Sequence, residues 1–308
     1  MNNPNASSLF HFTNSFDVLK AIVREGLMFA YSYEEHNLFD LPEEDFPSFK
    51  GIAIPMICFC NTPLSRVENH ARVYGKYFVA IDKDFLMEMY GPILNAVIYY
   101  NSNNLARSIF CLNKTKSYIL DTFIRSLNGI NQSDKEKITD ILSRDESIEE
   151  RMNKLSSDMR GRINSVCKFN FAADFILGLS KPIFGKNKLG EDVYLDEERE
   201  WRAFWMNDCI ENLKWEYYLN KEAFDEDKER LKNLILDSKE SHLMLPSIEL
   251  ANMITSICVE KEEQIPELVD FILSSRTFFG CEDNNKVPNI KHYIISKITS
   301  FERLSKDI

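Results

Sequence analysis

The apolar run IAIPMICFC at residues 52–60 constrains the fold more than any other stretch of this 308-residue chain. Nine consecutive residues without a charge, ended by Pro63, are typical of a strand that is buried on both faces. The run therefore predicts a strand in the interior of a sheet.

Shorter patterns on either side of this run predict further strands and helices. LFHFT alternates and is bounded by polar residues, which favours a strand. The helical spacing in FDVLKAIVREG is preceded by a capping Asn14 or Ser15 and ends at Gly26, and RVENHARVYG ends in the same way at Gly75. Strands are predicted at 9–13, 52–60, 77–81, 95–100, SICVEK and 292–299, and helices at 16–26, 66–75, 221–238 and PELVDFILSSR.

The order of these elements predicts an α+β fold with a mixed, mainly antiparallel sheet, because strands and helices do not alternate regularly. Residues 101–180 have a helical pattern with weak periodicity, and we interpret them as a helical insertion. Residues 1–100 and 181–308 then form the N-terminal and C-terminal parts of one domain.

Composition places the chain among globular proteins of a reducing compartment. Hydrophobic residues make up 44% of it, enough for a substantial core. No apolar run is long enough to span a membrane, and the start MNNPNASS does not resemble a signal peptide. Seven cysteines without a CxxC pair favour a cytoplasmic location, which we expect for this protein.

The charge is unevenly distributed along the chain. The formal net charge is −11, which argues against general coating of nucleic acid, yet residues 101–190 hold 15 basic and 10 acidic groups. This middle segment could offer a basic surface to an anionic partner, although a solvated helical face with mixed charges explains the same pattern.

The segment LDEEREWRAFW at 195–205 allows two interpretations. As a helix it places Glu198 and Arg202 four residues apart, in position for an ordinary surface ion pair. As a strand it places Glu198, Glu200 and Arg202 on one face and the intervening residues on the other. The strand places two carboxylates and a guanidinium side by side, which is costly unless something else lies there.

Three other groups are candidates for a site. His11 shares a strand face with Leu9 and Thr13, and a lone strand histidine is more often structural unless it meets the acidic strand. His70 and Tyr74 are four apart on a short helix, so the tyrosine could offer a stacking surface or be simply half-buried. Cys58 and Cys60 share a strand face without a second ligand pair, which favours buried thiols over a metal site, and no metal is expected.

Several of these strings together resemble the AbiGi family of bacterial abortive-infection proteins. They are LFHFTNSFDVLKAIVREGL, PMICFCNTPLSRVENHARVYGKYFVAI, YLDEEREWR and the closing SKIT. The resemblance implies a role in phage resistance as an antitoxin, with a cognate partner protein of a toxin–antitoxin pair.

A second resemblance, to DarT-like ADP-ribosyltransferases, is carried by the strand with H-F-T, the helix ending in G-L and the E-x-E pair. It implies the ADP-ribosyltransferase fold, NAD as a substrate, and a catalytic set of His11, Tyr74, Glu200 and Glu198. Glu200 would stabilise the ribosyl cation, His11 would bind a ribose, Tyr74 would stack on nicotinamide, and Glu198 would position the acceptor. Tyr77 or Tyr31 could take the place of Tyr74. The residues expected to contact NAD are His11, Phe12, Thr13, Tyr74, Tyr77 and Arg202.

The leading expectation is therefore an NAD-dependent ADP-ribosyltransferase effector of anti-phage defence that modifies a macromolecule, with RNA or DNA favoured. A non-catalytic antitoxin or interaction protein on a degenerate transferase scaffold is the alternative, and simple NAD hydrolysis is a third possibility. No membrane partner is expected.

Overall fold

The computed structural model describes the two ends of the chain and the segments that join them into one sheet. The described residues are 7–36, 51–63, 66–91, 93–100, 175–204, 221–237, 242–243, 253–282 and 290–306, with Ser108, Cys111 and Thr115.

Strands and helices are intermixed along the chain. The strands are β1 (Ser8–Thr13), β2 (Leu27–Met28), β3 (Ala30–Glu35), β4 (Gly51–Cys60), β5 (Tyr77–Asp82), β6 (Leu94–Ala96), β7 (Ile98–Tyr100), β8 (Ser180–Pro182), β9 (Phe184–Lys186), β10 (Asp192–Tyr194), β11 (Glu200–Phe204), β12 (His242–Leu243), β13 (Ile254–Val259), β14 (Thr277–Phe278), β15 (Cys281–Glu282) and β16 (Ile298–Ser300). The α-helices are α1 (Phe16–Glu25), α2 (Val67–Tyr74), α3 (Lys83–Tyr90), α4 (Lys221–Asp237), α5 (Ile265–Ser274), α6 (Ile290–Ser296) and α7 (Phe301–Leu304). Short 3₁₀ turns cover Leu195–Glu198 and Glu262–Gln264, and residues 175–179 are helical.

An eight-stranded sheet forms the centre of the molecule. Its order is β16-β13-β5-β1-β4-β11-β6, and β3 pairs with β4 in addition. The pair β13–β16 is parallel and the other ladders of this sheet are antiparallel. The prediction of a mixed, mainly antiparallel sheet in an α+β fold is confirmed.

Strand β4 is the long apolar run, and one of its edges is shared by two partners. β11 pairs with β4 from Cys60 to Met56, so β1 at Cys60 and β3 at Met56 must both lie on the opposite edge. Between those two ladders, Nδ1 of His11 lies 2.9 Å from the carbonyl oxygen of Cys58. A side chain therefore bridges the strands at the place where β1 and β3 separate.

The sheet buries both of its faces. One face carries the largest hydrophobic cluster, in which α1 and α5 pack on residues such as Leu9, Val79 and Ile257. On the other face, α2 packs through Val67 and Ala71 against residues of β1 and β5. Burial on both faces explains why β4 is apolar at every position.

Local capping determines the two helices nearest to the site. The side chain of Ser15 accepts from the backbone of Val18 at the start of α1, and Gly26 ends this helix. Gly75 ends α2 with a φ of 101°, and an added Cβ would lie 2.3 Å from a backbone oxygen of Thr13. Both predicted helix ends are confirmed, and Gly75 is required by conformation and by space.

Four predictions from periodicity need correction. The strand predicted at 292–299 is helix α6 followed by the short β16, because Ile290 and Ile294 lie one turn apart and are both buried. The strand predicted at 95–100 is two short strands, β6 and β7. The strand of the acidic segment begins only at Glu200, and β2 and β3 were not predicted at all.

The greater part of the predicted insertion, residues 101–174, lies outside the described residues apart from three single positions. The boundaries of the predicted domain parts stay a prediction. Among the helices that are described, none is both long enough and apolar enough to cross a membrane.

A buried ionic cluster as the candidate functional site

Strand β11 places two opposite charges inside the protein. Glu200 and Arg202 alternate with Trp201 and Ala203, so the acid and the base share one face of the sheet, as the strand interpretation predicts. Glu200 is 8% exposed and Arg202 is 0% exposed. A guanidinium with no solvent contact needs partners for its donors within the fold.

Arg202 finds these partners on three different elements. Its Nε and Nη2 donate to the two carboxylate oxygens of Glu200 at 2.7 and 3.0 Å. Nη2 also donates to Oε2 of Glu34 on β3 at 2.6 Å, and Nη1 donates to the carbonyl of Gly178. A Cβ at Gly178 would overlap the terminal methyl of Ile54, so a larger residue there would require this side chain to move.

Lys181 lies between the two acids of the E-x-E pair. Its Nζ donates to Oε2 of Glu198 at 2.6 Å and to Oε2 of Glu200 at 3.1 Å. Lys181 is on β8, directly opposite Tyr99 of β7, and the hydroxyl of Tyr99 accepts from the backbone N–H of Glu200 at 3.0 Å. The small parallel sheet β7–β8 therefore supplies two contacts to the same glutamate.

Glu198 reaches this group from a 3₁₀ turn rather than from the strand. The turn Leu195–Glu198 ends at Arg199, whose φ of 45° is unusual for a residue other than glycine. This conformation redirects the chain so that Glu198 accepts a hydrogen bond of 2.6 Å from the hydroxyl of Tyr74, the last residue of α2. The strand interpretation placed Glu198 on the same strand face as Glu200, and this was wrong because Glu198 lies in the turn before the strand. The two acids nevertheless lie close together, since both accept from Lys181.

We call Glu34, Lys181, Glu198, Glu200 and Arg202 the Glu200 cluster. Three carboxylates and two cations leave it with one net negative charge. The charged side chains are at most 13% exposed, so water screens them weakly.

In the Glu200 cluster, the opposite charges together shift each other's pKa values more strongly than burial does. Burial alone raises the pKa of the Glu200 carboxyl, but Arg202 and Lys181 outweigh it and hold that pKa below its ordinary value. Burial lowers the pKa of Lys181, and the negative charges of Glu200 and Glu34 outweigh it and raise that pKa well above its ordinary value. The pKa of the Tyr74 hydroxyl is raised by burial and by Glu198. Glu200 and Lys181 are therefore ionised at neutral pH, and the Tyr74 hydroxyl keeps its proton and is a donor.

Aromatic rings lie beside the Glu200 cluster. The ring of His70 stacks against Tyr74 at 5.9 Å and lies 6.0 Å from the ring of Phe12. Burial lowers the pKa of His70, which is therefore neutral at pH 7. Its Nε2 is buried and has no hydrogen-bond partner within the described part of the chain.

Four of the predicted site residues thus come together, namely Tyr74, Glu198, Glu200 and Arg202, with Phe12 nearby. The strand register places the other three on the opposite face, with His11 opposite Val79 and Thr13 opposite Tyr77. His11 contacts the ring of Phe59, Thr13 accepts from the backbone of Ser15, and the Tyr77 hydroxyl accepts from the side-chain amide of Gln264 at 3.0 Å. No hydrogen bond in the described segments joins His11 to Glu198 or Glu200.

The two cysteines of β4 are on the face of the Glu200 cluster. Burial raises the pKa of the Cys58 thiol well above its ordinary value and that of Cys60 to about 12. Both are therefore protonated. Tyr31, the other alternative to Tyr74, packs against Phe224 of α4.

Sequence analysis missed three residues of this site. Glu34 belongs to β3, which was not predicted, and Lys181 is the first residue after the predicted insertion. Tyr99 was predicted to be in a strand without a role. The only signal available was indirect, because a strand with two acids and an arginine on one buried face requires further charges to balance it.

One family model matches the chain. Its description is "Putative abortive phage resistance protein AbiGi, antitoxin", and it matches residues 19–240, which include every member of the Glu200 cluster. The chain belongs to the AbiGi family. AbiGi proteins are thereby connected with abortive infection and defence against phage, and the resemblance noted in the sequence is confirmed at this level.

Neither a search of curated proteins nor a search of solved structures gave a match to this AbiGi protein. The likeness to DarT-like ADP-ribosyltransferases is therefore a hypothesis that rests on the sequence.

Proposed function

We propose that this AbiGi protein is the antitoxin of an abortive-infection pair, a non-catalytic protein that binds and restrains a cognate toxin. The family description supports this role. The observation that carries it is that both acids of the E-x-E pair are neutralised by cations of the same chain.

This neutralisation opposes transferase chemistry for an electrostatic reason. Departure of nicotinamide from NAD leaves a ribosyl cation, and a carboxylate stabilises it only if its charge is directed at the substrate. Here Lys181 lies within 3.1 Å of both acids, and Arg202 holds both oxygens of Glu200. Both oxygens of Glu200 are therefore held by cations of the same chain, and this carboxylate is not directed at a substrate.

The test is a growth experiment with the toxin of the same pair. We expect that the AbiGi protein alone does not slow growth of a bacterial host, and that it restores colony formation when it is expressed with the toxin. Glu200→Gln, with folding checked by thermal melting, separates the hypotheses. Growth arrest by the wild-type chain alone that Glu200→Gln abolishes would overturn the antitoxin role.

An ADP-ribosyltransferase with NAD as substrate is the second candidate. Its support is the contact of 2.6 Å between Tyr74 and Glu198 beside Glu200. His11, which the resemblance assigns to the same catalytic set, lies on the opposite face of the sheet and gives this candidate no support. For transfer, Lys181 would have to move away from the two acids.

This candidate is tested with labelled NAD and separate pools of RNA, DNA and protein. Label in a nucleic-acid pool that disappears in Glu200→Gln and weakens steeply with salt would support a transferase acting on RNA or DNA. Label in protein alone would assign a protein acceptor, and release of free ADP-ribose would indicate hydrolysis. An unlabelled result in all pools rejects the transferase.

A further inference from the structure

The hairpin β9–β10 places a lysine on the tyrosine of the site. Nζ of Lys188, in the loop between these strands, lies 4.7 Å from the centre of the Tyr74 ring. The other neighbour of this ring is His70, which stacks on it. A face of an aromatic ring that could contact a ligand is thus covered by an ammonium group.

The tip of this hairpin is rigid within itself. Oδ1 of Asn187 accepts from the backbone of Leu189 and Glu191 at 2.9 and 3.0 Å, and its Nδ2 donates to Oε2 of Glu191 at 2.8 Å. The tip is joined to α2 by Arg72, whose two terminal nitrogens each donate to Glu191 at 2.6 Å. Both partners of that bidentate pair are about half exposed, so water screens the attraction between them.

The charge of Lys188 balances the site. The Glu200 cluster has one net negative charge, and the ammonium over Tyr74 brings the total to zero. A neutral or anionic group in place of the exposed Lys188 would leave the negative charge of the buried Glu200 cluster uncompensated. A ligand group that takes the place of the Lys188 ammonium is therefore expected to be a cation.

His70 supplies a second, independent indication of a ligand. It is 9% exposed, and its Nε2 has no hydrogen-bond partner in the described segments. A buried polar nitrogen without a partner is costly, and no described residue satisfies Nε2, so this nitrogen is available to a ligand. Glu198 accepts one hydrogen bond at each oxygen from Tyr74 and Lys181, which leaves acceptor capacity at the carboxylate.

We propose that the face of Tyr74 covered by Lys188 is a docking site for an arginine side chain of a protein partner, and that Lys188 is the built-in occupant that this arginine displaces. A guanidinium is flat and cationic and stacks on a tyrosine ring, and its five donors suit the remaining acceptor capacity of Glu198, which is bonded to the Tyr74 hydroxyl. The inference rests on the proposed antitoxin role, because it names the chemistry that holds the toxin.

The test measures binding of a single arginine side chain. The probe is N-acetyl-arginine methylamide, and the control is the uncharged N-acetyl-glutamine methylamide. Each is titrated into the full chain with 13C-labelled tyrosine, and the Tyr74 ring signal is followed by NMR. We expect weak binding of the arginine probe to the wild type and binding about 2–5-fold tighter in Lys188→Ala, because an intramolecular competitor of ordinary cation–π strength has been removed.

A double variant and a control variant test the proposal further. In Lys188→Ala/Tyr74→Leu, with folding checked by thermal melting and the probe's own signals observed, binding should be lost. Equal binding of both probes, an unchanged affinity in Lys188→Ala, or the same affinity without the tyrosine ring would each overturn the proposal. Lys186→Ala is the matched control on the same hairpin and should leave the affinity unchanged.

Growth assays separate this proposal from the antitoxin role. If toxin neutralisation persists but the arginine probe does not bind, the docking site is wrong and the antitoxin role stands. If the probe binds as expected but the chain does not neutralise the toxin, the antitoxin role is wrong and the arginine site stands.

Discussion

Replacing Arg202 by methionine tests how strongly the Glu200 cluster stabilises the fold. The guanidinium is 0% exposed and donates to Glu34, to Glu200 and to the carbonyl of Gly178. Methionine retains an unbranched apolar stem but has no charge, so the carboxylates stay buried without this cation. Removal of one partner from a buried ion pair typically costs about 3–5 kcal/mol, and we expect a loss of that size.

Urea unfolding followed by circular dichroism measures this loss as a change in the free energy of unfolding. The matched control is Arg303→Met. Arg303 also pairs with a glutamate, Glu262 at 2.7 Å, but the two side chains are 59% and 45% exposed. An exposed pair contributes about 0–1 kcal/mol, so the control should be nearly neutral.

The pH dependence of the same variant provides a further check. Without Arg202, burial raises the folded-state pKa of Glu34 above its unfolded value. A carboxyl with a raised pKa binds its proton more readily in the folded state, so the variant regains stability as the pH falls from about 8 to about 5. A loss no larger than that of Arg303→Met, or a deficit independent of pH, would refute the reasoning.

Three other outcomes are expected. Tyr74→Phe removes the donor to Glu198 and should lower the free energy of unfolding by about 1–2 kcal/mol in urea titrations, whereas Glu198→Gln, which also removes the charge paired with Lys181, should lose more. Gly75→Ala should cost about 1–3 kcal/mol, because φ is 101° and a backbone oxygen lies 2.3 Å from the new Cβ. Gly190→Ala has a φ of 78° but open space, and an equal cost in the same assay would contradict the steric part of the argument. Because the pKa of Glu200 lies below its unfolded value of 4.5, its stabilising contribution is complete above that pH and is lost as the pH falls below it. Unfolding free energies measured across this range should decline by up to about 1.4 kcal/mol per pH unit for each such carboxyl, and a flat profile would exclude the ion pairs as the cause.

Local chemistry was sufficient to predict the part of the fold around the site. The uncharged run of β4, the cap at Ser15 and the glycine after Tyr74 act through neighbours in the chain, so each can be recognised from a short window. The same local argument failed at 290–296. There a segment rich in β-branched residues forms a helix, because burial of Ile290 and Ile294 against the rest of the protein outweighs intrinsic strand preference.

The sequence by itself determined that Glu200 and Arg202 share a strand face, because side chains alternate along any strand. Only the tertiary structure decided what they meet. Glu34 lies 168 residues from Arg202, and Tyr74 lies 124 residues from Glu198, and no local pattern records such pairings. Lys181 contacts both acids because β8 pairs with β7, whose Tyr99 is hydrogen-bonded to the backbone of Glu200 on β11. The strength of an ion pair depends on the distance between charges in space, whereas sequence periodicity depends only on spacing along the chain.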